Sequence, residues 1–69
     1  MGLSAHRQNV VQSAARNVEV LAGTGDLARA RDFAEKILSY DNSPQTRAIL
    51  LQHAQRAGHP EMISSAPSP

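Results

Sequence analysis

Apolar residues gather on one side of three successive segments when the chain is wound at about 3.6 residues per turn. Between about Ser4 and Ala22, the residues Val10, Val11, Ala14, Ala15, Val18, Leu21 and Ala22 recur at three- and four-residue spacing. That spacing lines one face of a helix. Ser4 supplies an N-cap hydroxyl for an orphan backbone N–H, and Gly23-Thr24-Gly25 interrupts the pattern at the other end. A second helix is predicted over about 27–40, capped by Asp26, with Leu27, Ala30, Phe33, Ala34, Ile37 and Leu38 as its stripe. The capping carboxylate also meets the positive end of the helix dipole. Arg31 with Glu35 and Asp32 with Lys36 stand four residues apart on the polar side. On a solvated face each such pair contributes only about 0.2–0.5 kcal/mol.

Asp41-Asn42-Ser43-Pro44 stops the second helix and starts a third. Ser43 is the N-cap, and Pro44 occupies the first helical position, where an N–H would have no partner anyway. The third helix runs over about 44–57 with Ile49, Leu50, Leu51, Ala54 and Ala57 apolar; Gly58 closes it and Pro60 bars its continuation. Glu61-Met62-Ile63 suffices for one more turn, and 64–69, made only of Ser, Ala and Pro, is expected to be a disordered tail. Strands are not expected, since no stretch alternates with period two. The expected fold is therefore all-α: three antiparallel helices joined by short connections in one domain, 1–63.

The order Gly25-Asp26-Leu27-Ala28-Arg29-Ala30, then Phe33-Ala34-Glu35-Lys36-Ile37-Leu38, then Tyr40-Asp41, resembles the second helix of a tetratricopeptide repeat. Gly25, Ala30, Phe33, Ile37, Tyr40 and Asp41 fall on that family's offsets, with the proline displaced to Pro44. Counting back, Ala14, Asn17, Val18 and Leu21 take the signature positions of the first helix. Ala14 then replaces the family's bulky aromatic and Val18 its close-packing glycine, which implies looser or shifted packing between the two helices. The third segment resembles the first helix of a following repeat, in a register ambiguous by one residue. The resemblance covers about residues 12–58, or one and a half repeats.

Such a repeat does not bury its apolar face alone. The outer side of the third helix is expected to be uncovered, so the resemblance implies association, with a two-fold dimer favoured. Ile49, Leu50 and Leu51 are the apolar interface candidates, because three adjacent bulky residues cannot all face one neighbour. The concave surface implied by the resemblance holds Gln12, Ala15, Arg16, Glu19 and Ala22 on the first helix and Gln52, Gln55 and Arg56 on the third. The family's carboxylate clamp uses lysines that are missing here, although Arg16 and Arg56 retain the planar fork that holds an acidic group.

Composition narrows the reading further. Of 69 residues, 41% are hydrophobic, but eleven of these are alanine and the chain has one Phe, one Tyr and no Trp. There is little bulky material for a core, and without cysteine there is neither a disulfide staple nor a thiolate metal site. A cytoplasmic setting fits. The net charge of +1, with Lys36 the only lysine, offers no basic field for nucleic acid. No apolar run approaches the roughly 20 residues of a membrane span. Residues 1–9 are too polar for a secretory signal, and His6 stands where a myristoylation motif wants Ser or Thr.

Candidate chemistry is thin. His6, His53 and His59 do not sit at ligand spacing from one another or from carboxylates, and surface histidine is the expected role for each, with His53 partly buried as the variant. Gly23-x-Gly25 lacks the strand and third glycine of a dinucleotide loop. No nucleophile, base and acid stand together, so no catalysis, cofactor or metal is expected. The expected function is a protein–protein interaction or assembly module that binds a second copy or another protein. The alternative is a helical dimerisation segment or small accessory subunit of an enzyme.

Overall fold

The computed structural model describes residues 4–64 and contains α1 (Ala5–Gly23), α2 (Leu27–Tyr40), α3 (Pro44–Arg56) and the single turn α4 (Glu61–Ser64). The three long helices pack against one another, with α1 central: it touches both α2 and α3, which meet each other over a smaller area. Each long helix starts at its predicted cap. Ser4 Oγ accepts from the Arg7 N–H at 3.2 Å, Asp26 Oδ1 from the Arg29 N–H at 3.3 Å, and Ser43 Oγ from the Thr46 N–H at 3.3 Å. A cap of this kind is worth about 1 kcal/mol.

The two glycine stops work alike. Gly25 (φ +89°) and Gly58 (φ +82°) take the left-handed conformation that side chains resist. After them, the Asp26 and His59 amides reach back to the carbonyls of Leu21 and Ala54, both at 2.9 Å. These bonds satisfy carbonyls that the helix ends would otherwise leave unpaired.

The core is thin and rich in alanine. Val11, Ala15, Val18 and Ala22 of α1 meet Ala30, Ala34 and Ile37 of α2 and Leu50 and Ala54 of α3. Alanine at the contacts lets the helix axes approach closely, and it leaves the larger side chains at the margin. Leu21, Leu27, Phe33, Leu38 and Ile49 are half-buried against the cluster.

Several expectations need correcting. Val10, placed on the α1 stripe, is exposed. Ala15 and Ala22, assigned to a concave surface, lie in the core. The outer side of α3 is not bare either, because α4 packs on α3 and α2 and puts Met62 into the core, with Ile63 against it. Ser64, expected in the disordered tail, belongs to that last turn, and the rest of that segment, 65–69, lies outside the described residues.

Two polar residues join the core unannounced by the apolar pattern. Thr46 is fully buried, and its hydroxyl donates to Asp41 Oδ2 at 2.5 Å. The same carboxylate oxygen takes the Ser43 hydroxyl at 2.6 Å, while Arg7 approaches Oδ1 at 3.6 Å. The Ser43 and Thr46 hydroxyls, with lesser help from the Ser43 amide and the Arg7 charge, hold the Asp41 carboxyl below its ordinary pKa. One side chain thus links the start of α1, the end of α2 and the start of α3.

Candidate interaction surface

The residues singled out from sequence divide into three groups. Gln12 is half-buried, and Arg16, Gln52 and Arg56 are exposed on the neighbouring helices α1 and α3. Neither Arg16 nor Arg56 forms an ion pair with another described residue. Glu19 is engaged: its Oε1 lies 2.7 Å from His53 Nδ1, bridging α1 to α3. His53 is therefore not a surface histidine. It is 7% exposed, and burial is tolerated because Nδ1 has this partner.

The apolar trio of α3 also separates. Leu50 is the largest fully buried side chain and cannot be an interface residue; in α3 the core-facing row is Thr46, Leu50, His53 and Ala54. Ile49 is half-buried against the core cluster, whereas Leu51 is half-buried and outside it. Leu51 is the member of the three that turns away.

The exposed apolar surface lies elsewhere. Val10, Val20 and Tyr40, at 39%, 63% and 46% exposed, are the large apolar residues most open to solvent among those described, and all sit on α1 or α2. They border two adjoining grooves along the seam between these helices. The narrower one, of about 130 Å³, is lined by Val10, Val11 and Ala14 of α1 and by Phe33, Lys36, Ile37 and Tyr40 of α2. Farther along, Asn17, Val20 and Leu21 face Arg29, Asp32 and Phe33. Phe33 forms part of both walls, which makes the seam continuous.

A physical reason for the groove can be read from α1. Val11, Ala15, Val18 and Ala22 are its buried row. Ala14, half-buried one position away, has a methyl group too small to fill the space beside Phe33. At one end of the seam the Arg7 guanidinium lies over the Tyr40 ring, 5.7 Å from its centroid. This cation–π contact fixes the ring while leaving it accessible. Of the two charge pairs expected on α2, Asp32–Lys36 forms at 3.6 Å; Arg31 and Glu35 form no ion pair with described residues.

Polar chemistry is sparse among the described residues. No three His, Asp or Glu side chains gather as a metal site. His59 Nδ1 and Glu61 Oε2 lie 3.2 Å apart across the α3–α4 turn. The Glu61 carboxyl is held below its ordinary pKa, first by its own backbone amide and then by His59. No described helix is long and apolar enough to cross a membrane. The apolar pattern concealed the seam because Val10 and Phe33 count as core stripe residues in it, while Tyr40 lies outside the α2 stripe and enters only through the repeat-like offsets. Neither a protein-family model, nor a curated protein, nor a solved structure matches the chain.

Proposed function

We propose that the chain is a non-catalytic protein–protein interaction and assembly module, built on tetratricopeptide-like helix packing, that associates with a second copy of itself. The observation that carries the reading is the concentration of solvent-exposed Val10, Val20 and Tyr40 along the single α1–α2 seam. Scattered exposed apolar residues are ordinary, but a contiguous apolar strip with a polar rim marks a contact surface.

The repeat-like part of the reading has its own support. Glu19 and His53, bonded across α1 and α3, are 34 residues apart, and Arg7 and Asp41 meet across the same separation. That spacing equals the length of one tetratricopeptide repeat. The Glu19–His53 pair sets equivalent positions of α1 and α3 side by side, as in the first helices of consecutive repeats, and the Arg7–Asp41 pair joins the start of α1 to the connection just before α3. Ala14, where that family carries a bulky aromatic, lines the groove. Apolar burial on association would add stability to a chain whose own core is slight. A chain without cysteine suits a reducing compartment, and the proposal assigns it to the cytoplasm.

Sedimentation equilibrium from micromolar to millimolar chain, with circular dichroism on the same samples, tests the proposal. The expected result is a defined dimer mass that Tyr40→Asp abolishes and Leu51→Asp leaves in place. A mass that stays monomeric throughout the range, or an association lost with Leu51→Asp alone, overturns it.

A further inference from the structure

The seam carries two rows of residues whose spacing reads the same in both directions. On α2 the row is Arg29, Phe33, Lys36 and Tyr40, separated by four, three and four positions. On α1 it is Val10, Ala14, Asn17 and Leu21, with the same separations. Because the helices are antiparallel, the rows run in opposite directions. Val10 shares one groove with Tyr40, and Leu21 shares the other with Arg29. The two rows consequently have their midpoints at the same height along the seam. A two-fold axis through those midpoints, lying across the helices, superimposes α2 on α2 and α1 on α1 of a second copy with reversed direction.

The chemistry of the rows suits that operation. Arg29 of one copy comes opposite Tyr40 of the other, whose ring also carries Arg7, and Phe33 comes opposite Lys36, so each cation of the α2 row meets an aromatic ring and none meets another cation of that row. The chain's single Phe and single Tyr are both used. Asp32, which lines the same groove, comes opposite position 37 of the second copy, beside that copy's Lys36. On α1, Val10 meets Leu21, and Ala14 meets Asn17, the two smallest members of the row at its centre. An isologous contact requires this kind of self-complementarity, in which residue i meets j and j meets i. A two-fold axis along the seam would instead lay α2 on the second copy's α1, with Arg29 on Leu21 and Lys36 on Ala14 and no cation on an aromatic ring.

We infer that the α1–α2 seam is the interface of an antiparallel two-fold dimer in which Arg29 and Lys36 of each copy pack on Tyr40 and Phe33 of the other. This rests on the self-association proposed above and specifies its geometry. The absence of native cysteine makes the geometry directly testable. Ala14→Cys and Asn17→Cys chains, mixed under mild oxidation, are expected to crosslink to each other in preference to either variant alone. Each single substitution removes two symmetry-related contacts. Lys36→Glu is therefore expected to weaken dimerisation roughly tenfold or more in the absence of crosslinking. Ala14→Phe fills the groove from within and is expected to give a helical monomer that melts no lower than the parent.

Crosslinking confined to Asn17→Cys alone, or an Ala14→Phe chain that dimerises like the parent, overturns the geometry even where the parent is dimeric. A parent that stays monomeric overturns both the geometry and the self-association beneath it. Should Lys36→Glu lose helicity at all concentrations, Arg29→Glu, on a residue whose side chain is 80% exposed, provides the same reading.

Discussion

Leu50 and Leu51 are neighbours of identical chemistry, and replacing each by alanine should separate them. Leu50 is fully buried between α1 and α3, whereas Leu51 is half-buried and outside the core cluster. The substitution removes three carbons. At about 0.8 kcal/mol for each buried methylene, the lost transfer free energy at Leu50 is about 2.4 kcal/mol. The cavity left in a core that cannot fully collapse raises the cost to about 3–4 kcal/mol. At Leu51 up to about a third of the surface is already in water and no closed cavity forms, so the loss is about 1.5–2 kcal/mol, reduced slightly by alanine's better helix propensity. A chain of 69 residues commonly has a total stability of roughly 3–10 kcal/mol. Leu50→Ala should therefore take away a third of it or more, and Leu51→Ala a smaller part. Urea unfolding followed by helical circular dichroism measures both, with chain concentration held fixed because association adds stability by mass action. Equal losses for the two variants, or a larger loss for Leu51→Ala, would refute the assignment of Leu50 to the core.

Other substitutions probe the polar contacts and the turns. Glu19→Ala should cost about 1–3 kcal/mol, because it strands a buried ring nitrogen of His53; a double-mutant cycle with His53→Ala should show coupling, and additive effects would mean that the 2.7 Å contact contributes nothing. Asp41 is a pH probe. Its folded pKa lies below the ordinary value of 3.8, so its contribution is fully present above that pH and disappears as pH falls through the folded value. Asp41→Asn should flatten part of the acid limb of the stability curve, and an unchanged acid limb would exclude the carboxylate's role at the helix junction. Gly25→Ala should destabilise by about 1–2 kcal/mol through its left-handed backbone, while Gly23→Ala, with open space around it and ordinary helical geometry, should be neutral or stabilise by up to about 1 kcal/mol in thermal melts.

Local signals along the chain carried most of the fold. Ser4, Asp26, Ser43 and Pro44 announce helix starts because a cap is a matter of a few adjacent residues, and Gly25 and Gly58 announce stops for the same reason. What lay beyond local pattern was the depth of each residue. Val10 and Val11 have the same chemistry, and only the placement of α2 beside α1 decides that one is buried and the other exposed. Thr46 and His53 were illegible as core because their burial depends on partners far along the chain or across a turn. Thr46 relies on Asp41, and His53 on Glu19, a residue on another helix. The seam had a visible trace in the symmetric spacing of Arg29, Phe33, Lys36 and Tyr40, but a row of this kind becomes a surface only once its neighbours are known. The same dependence explains why Leu50 was misassigned: within Ile49-Leu50-Leu51, helical periodicity requires one residue to turn outward without specifying which.

The turn α4 matters for what the molecule does not do. By seating Met62 in the core and laying Ile63 beside it, α4 covers the flank of α3 that would otherwise be adhesive. The large apolar residues most open to solvent among those described, Val10, Val20 and Tyr40, all lie along the α1–α2 seam. A body with two different adhesive flanks adds copies head to tail and grows into fibres, whereas a body with one self-complementary flank is saturated by a single neighbour. On the proposed self-association, these four residues would convert a stackable unit into one whose growth terminates at a pair.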